Sequence, residues 1–293
     1  MNKTVVKPGV APAPPGEGEF SLIPRNKLLG LYAAMLQCRA IAKRLPKTLS
    51  SGLSNSLRIF EAVSAGLTID LLEGDAISPA PSDLTPCLVK GVAPKTLLRW
   101  WRNPSSRFPA RVAGANVIPP SGSIAARLEA AMRLAGHFRA INNGSVVVVF
   151  AASESLRSKP NSELEFAQPF PHSVLRQAAE NRLPMLFVAL GNRDNEELLS
   201  IAGQCGVASM AVDRDDVVAV YRVAFEALSH ARHGNGPTLI DARPWRTIGH
   251  SAKKKDARNP IAKMELYLAG KGIAFKPVKR RVLRAVDAQL GPE

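Results

Sequence analysis

Ser145-Val-Val-Val-Val-Phe150, with Ala151-Ala152-Ser153 directly behind it, is the stretch that decides the fold. Five consecutive apolar residues, four of them valine, leave no polar face. They predict a short strand buried on both sides in the middle of a parallel sheet. In open α/β sheets the ligand lies just beyond the carboxyl ends of such strands. A phosphate there calls for glycine, which lets the backbone come close, and a metal calls for a carboxylate. Two alanines and a serine supply neither. The stretch therefore predicts a sheet suited to a phosphorylated cofactor, with the usual grip on that cofactor missing.

Downstream, strand and helix alternate. Strands fit 146–150, 185–190, 207–212 and 237–242, and helices fit about 172–182, 194–204 and 216–233. This rhythm implies an α/β fold with a doubly wound, mostly parallel sheet and helices on both faces. Asp213, Asp215 and Asp216 suit the start of the last of these helices as caps and dipole partners. Upstream, Ser121-Gly122-Ser123 leads a long helix in which Ala125, Ala126, Ala130, Ala131 and Ala135 allow close packing. A helix also opens near Pro24, carrying Leu28, Leu31, Tyr32, Met35 and Leu36 at helical spacing. Ser51-Gly52 interrupts it, and a second helix covers about 57–72. Pro79, Pro81 and Pro86 speak against regular helix between Asp75 and Cys87. A short helix with Leu97, Leu98, Trp100 and Trp101 follows. Arg99-Trp100-Trp101-Arg102 could stack on unpaired bases, but tryptophans facing the core beside solvated arginines are the preferred reading.

The chain divides into a flexible tail over 1–20, rich in Pro, Gly and Val, an α/β domain over 21–275, and a basic C-terminal helix and tail over 276–293. Of its 293 residues, 46% are apolar, enough for a sizeable core. Thirty-nine Lys and Arg against 24 Asp and Glu give a net charge of +15. That excess points to acidic partners: a phosphorylated ligand, an acidic protein or nucleic acid. Charge alone carries little specificity, so nucleic acid ranks last. Cys38, Cys87 and Cys205 lack any metal-ligand spacing and imply reduced thiols. No apolar run approaches a membrane span and no apolar segment precedes Ala11-Pro12-Ala13-Pro14-Pro15, so a cytoplasmic protein is expected.

Several motifs then occur in order. Glu61-Ala62, Pro184-Met-Leu-Phe-Val188, Val212-Asp213-Arg-Asp-Asp216, Gly236-Pro-Thr-Leu-Ile240, Arg246-Thr-Ile-Gly-His-Ser251 and Asn259-Pro-Ile261 stand at sensible spacings. Over about residues 22–273 the chain resembles the alpha subunit of thiamine-diphosphate-dependent 2-oxo acid dehydrogenases of the pyruvate, branched-chain and acetoin types. The resemblance implies a thiamine-diphosphate-binding fold, with thiamine diphosphate and Mg2+ as cofactors. It further implies a site formed between subunits and a beta-type subunit as partner, or self-association. The family's reaction is oxidative decarboxylation of a 2-oxo acid with acyl transfer to a lipoyl group, which would bring a lipoyl acyltransferase into play. Carried over residue by residue, Asn192 falls on a metal and cofactor ligand and Asp194 on a position giving the metal its backbone carbonyl. Arg246 falls on the cofactor side of a loop, and His250 on that loop's catalytic, cofactor-binding histidine.

Departures from the family pattern are concentrated where the cofactor would be held. Ala151-Ala152-Ser153 stands for Gly-Asp-Gly, whose aspartate binds the metal, and Pro81-Ser82 stands for a Tyr-Arg pair that reaches the diphosphate. Phe60 replaces a glutamine, Gly191 the first residue of an Asn-Asn pair, and Arg214 a glycine. Glu154, Glu163 or Glu165, in the long segment 153–171, could substitute for the lost aspartate; solvated loop carboxylates are the plainer reading. Three functions follow as expectations. First stands a dehydrogenase alpha-type protein with a degraded site, weak or inactive in catalysis and acting as scaffold or regulator. An active component with a rewired metal site is the alternative. A basic binding protein for nucleic acid or an acidic partner comes third.

Overall fold

Seven strands among the described residues form one sheet in the order β2-β3-β1-β4-β5-β7-β6, around which the helices are laid. The structure is a computed structural model that describes residues 23–44, 60–102, 111–112, 115–156, 172–191, 196–245 and 259–291. The strands are β1 (Ala76–Ser78), β2 (Arg111–Val112), β3 (Ala115–Val117), β4 (Val147–Ala152), β5 (Met185–Leu190), β6 (Ala208–Asp213) and β7 (Thr238–Arg243). All neighbours pair parallel except the β2–β3 edge. The expected doubly wound, mostly parallel α/β architecture is the one observed.

β4 shows why its sequence has no polar face. Val146, Val148 and Phe150 enter a core shared with α2 (Glu61–Thr68), α3 (Thr85–Val89), α4 (Pro94–Arg102) and α8 (Val217–Arg232). Val147, Val149 and Ala151 enter a second core built with α5 (Ile124–Ile141), α6 (His172–Glu180) and α7 (Glu196–Gln204). Side chains alternate across a strand, so helices on both faces demand apolar residues at every position. A third cluster joins α1 (Arg25–Ala42) and α9 (Pro260–Gly270) to α2 and α8 as an outer layer. Finally, α10 (Lys276–Leu290) lies against α1 and α4, with Val286 buried and Asp287 paired to Arg44.

Local signals account for the helix starts. Ser123 accepts from the Ala126 amide at 3.2 Å, Asp216 from Val218 and Ala219, and Asn259 from Ala262. Of the three aspartates expected at the start of α8, only Asp216 is the cap. Asp213 pairs with Lys263, and Asp215 lies 3.8 Å from Arg214. Trp100 and Trp101 are buried, as the core reading expects.

Two expectations are corrected. The prolines of 79–86 do not exclude helix, because α3 starts at Thr85 with Pro86 in its first turn, where no backbone N–H is needed. The second helix is also shorter than 57–72: among the described residues it runs only from Glu61 to Thr68.

Candidate functional site

The chain enters β3 on one side of β1 and β4 on the other, so the winding reverses between β1 and β4. Ligands in open α/β sheets bind at such a reversal, outside the carboxyl ends of the strands. At their amino ends β1 and β4 are clamped by Asp75. Its fully buried carboxylate accepts the amides of Leu72 (2.6 Å) and Val146 (2.9 Å) and both arms of the Arg232 guanidinium (3.0 and 2.5 Å). At the carboxyl ends the two strands part. β1 stops at Ser78, opposite Val149, while β4 runs on to Ala152. Past that point the ladder between them ends, and the carbonyls it leaves need other partners.

Arg127 of α5 fills that need. Its Nε donates to Ser78 Oγ at 3.1 Å, and Nη2 donates to the carbonyls of Ser78 (3.2 Å) and Phe150 (2.8 Å). Arg127 is 4% exposed, and no carboxylate pairs with it among the described residues. Burial accordingly pulls its guanidinium down to about 10. Ser153, at the exit of β4, is 3% exposed, and its hydroxyl has no hydrogen-bond partner among the described residues. Sequence reading missed Arg127. The signal was present: Arg127 lies three residues from Ile124 and four from Ala131, on the apolar stripe of a helix otherwise rich in alanine.

A second polar group sits past the ends of β5, β6 and β7. Arg214 donates through Nη1 to the Gly191 carbonyl at 2.6 Å and lies 5.1 Å over the Phe60 ring. Phe60, Gly191 and Arg214, three separate departures in sequence, are thus one contact in space. Arg39 binds Glu61 and donates to Asn259 at 2.6 Å, tying α1 to α2 and α9. Lys263 bridges Asp213 (2.8 Å) and Asp216 (3.2 Å). Burial works against the charge of Lys263, but these two carboxylates outweigh it and hold its ammonium above the ordinary lysine range. Burial also raises Asp215, partly offset by Arg214. Every carboxylate named in this group already has a cation beside it.

Asn192, Asp194, Arg246 and His250 all lie outside the described residues, as do Glu163, Glu165 and the side chain of Glu154. Of the positions expected to matter, the structure places Pro81, Ser82, Ala151, Ala152, Ser153, Phe60, Gly191 and Arg214 at the carboxyl side of the sheet. No group of three or more His, Cys, Asp or Glu side chains able to hold a metal occurs among the described residues. An apolar void of about 10 Å³ lined by Leu128, Leu156 and Phe187 is too small for a cofactor. No helix among the described residues is long and apolar enough to cross a membrane.

Comparison with known proteins follows the same line. The family model described as the dehydrogenase E1 component matches residues 51–266. The alpha-3 subunit of the chloroplast pyruvate dehydrogenase E1 component of Arabidopsis thaliana is 29% identical over 136 residues, 39% of this chain and 32% of that protein. The alpha subunit of acetoin:2,6-dichlorophenolindophenol oxidoreductase of Bacillus subtilis is 27% identical over 267 residues, 80% of this chain and 76% of that one. The chain thus matches about a third of the first relative's length and about three quarters of the second's. Among solved structures, a thiamin diphosphate-dependent enzyme from Mycobacterium smegmatis aligns with a TM-score of 0.39 and 17% identity, over 63% of this chain and 31% of that one.

Proposed function

Because this chain belongs to the dehydrogenase E1 component family, among its alpha-type subunits, we propose that it assembles with a beta-type subunit, or with itself, as a subunit whose own cofactor grip is degraded. On this reading it is weak or inactive in 2-oxo acid decarboxylation and serves the assembly as scaffold or regulator. Thiamine diphosphate, where bound, supplies the carbanion chemistry of such dehydrogenases; the protein's share is to anchor and orient it.

One observation carries the reading. The end of β4, where a metal-binding carboxylate would be needed, offers Ala151, Ala152 and the hydroxyl of Ser153, and the buried cation of Arg127 donates to the Phe150 carbonyl of the same strand. Magnesium wants oxygen ligands in near-octahedral order with at least one carboxylate, and a fixed guanidinium repels it. The described residues therefore do not fit the metal. Pro81 and Ser82 likewise offer no cation to a diphosphate. A lipoyl acyltransferase is the partner that an active assembly would require.

Calorimetric titration of the full chain with thiamine diphosphate and Mg2+, alone and after co-expression with a beta-type subunit, tests the proposal. Binding weaker than millimolar and no release of carbon dioxide from pyruvate or branched 2-oxo acids is the expected outcome. Micromolar, Mg2+-dependent binding would reject it in favour of an active component with a rewired site.

A further inference from the structure

Most cations of α10 face solvent without a partner. Lys276, Arg280, Arg281 and Arg284 are exposed, and none makes a hydrogen bond or ion pair among the described residues. The remaining charges of the helix are spent: Lys279 pairs with Glu265 at 2.9 Å, and Asp287, its only acid, pairs with Arg44. Beside it, α4 carries no acid and exposes Lys95 and Arg99, which are also unpaired among the described residues. Lys276, Arg280 and Arg284 recur every fourth residue and form one row with steps of about 6 Å. Leu283, 39% exposed, stands beside that row, one turn from Arg280 and two from Lys276. Like charges four residues apart cost a helix stability, so the row weakens α10 unless negative charge meets it. The helix also lies beyond residues 51–266, which the family model matches.

What else this face offers selects its occupant. The apolar side of α10, with Val278, Val282 and Val286, is already packed against the body of the chain, so the helix cannot lay that side into a lipid surface. Neither helix exposes an aromatic ring for a base to stack on, because α10 has none and Trp100 and Trp101 are buried. A second copy of a chain with a net charge of +15 is repelled. A leucine set against a hydrated phosphate backbone gains nothing, whereas an apolar contact ringed by charged groups is the common centre of a protein interface. Guanidinium forks in turn match carboxylates two bonds at a time.

We propose that the exposed face of α10 docks an acidic segment of a partner protein, with Leu283 against an apolar residue of that segment and Lys276, Arg280 and Arg284 on its carboxylates. Lys95 and Arg99 of α4 enlarge the positive field that draws the segment in. A helix of 15 residues presents a small interface, so the contact is weak and exchanges quickly.

The probe is a labelled, helix-forming peptide with glutamates four residues apart on both sides of one leucine, titrated with the full chain and followed by fluorescence anisotropy at physiological ionic strength. Saturable binding is expected, and a peptide with glutamine for every glutamate should not bind. Exchanging both Arg280→Ser and Arg284→Ser should weaken binding about tenfold or more, and Leu283→Ser about fivefold. All three side chains are exposed, so circular dichroism and melting should show the fold kept. A short DNA duplex and phosphatidylserine vesicles are titrated in parallel. Tighter binding of either one than of the peptide overturns the proposal in favour of a nucleic-acid or lipid surface. Absence of saturable peptide binding overturns it, as does binding that the arginine variants leave unchanged. Binding that depends on the arginines but not on Leu283 is counterion release alone and overturns it too. None of these outcomes touches the cofactor reading, which the thiamine diphosphate titration decides separately.

Discussion

Asp83 shows how one side chain reports on its surroundings. It is buried, yet its carboxylate accepts the amides of Phe60 and Thr85 at 2.9 Å each and the Thr85 hydroxyl at 2.5 Å. Those bonds favour the ionised form, but burial outweighs them and pushes Asp83 up to about 6. Between roughly pH 4 and 6 the folded chain then keeps a proton that the unfolded chain has released. Stability must fall as pH rises through that window and level off above it, by no more than about 3 kcal/mol for a shift of about two units. Urea midpoints at pH 4.5 and 7 should show the fall in the native chain and not in Asp83→Asn; equal slopes in both would refute it. Asp83 was not legible as a buried charge, and Arg127 only through its place on the apolar stripe of α5. A lone aspartate among prolines reads as a turn residue, and a lone arginine in an alanine-rich helix reads as a solvated one. What distinguishes them is the approach of elements distant in sequence, α3 against the start of α2, and α5 against the parting of two strands.

Among the elements, α2 and α8 cross at Gly66. A methyl group there would meet Val220 Cγ1 at 2.6 Å and the Tyr221 backbone nitrogen at 3.0 Å. Alanine gains up to about 1 kcal/mol over glycine inside a helix, but forcing a side chain against a backbone atom costs about 1–3 kcal/mol. Gly66→Ala should therefore destabilise by about 1 kcal/mol or more, with Gly66→Val worse; a rise in melting temperature for Gly66→Ala would show that the crossing relaxes. The sequence announced β4, β5 and β7 within a residue or two, because continuous runs such as Met185–Leu190 fit only a strand covered on both faces. It did not announce β1. Ala76-Ile77-Ser78 is too short to show a pattern, and its stability comes from Asp75 holding Arg232 at one end and Arg127 holding Ser78 at the other. The helix α3 was hidden by the same proline, Pro86, that stands in its first turn.

At the scale of the whole molecule, the motifs that carried the family lie, among the described residues, along strands and helix starts, and those positions are where the structure and the expectation agree; Arg246-Thr-Ile-Gly-His-Ser251 lies outside the described residues. The positions that would decide chemistry, Asn192, Asp194, Arg246 and His250, fall beyond the described residues, so the site was legible chiefly through its departures. Gly191, Phe60 and Arg214 read as three unrelated substitutions until the fold brought them into one contact. β4 is the middle strand of seven, with β5 along its whole length, β1 along its first half and a core on each face. Deuterium should therefore reach the amides of 147–149 only when the entire chain opens, while those of the edge strand β6 label through local fraying. Mass spectrometry of quenched peptides would show it: labelling of the valine run that keeps pace with β6 would mean the sheet opens from its centre.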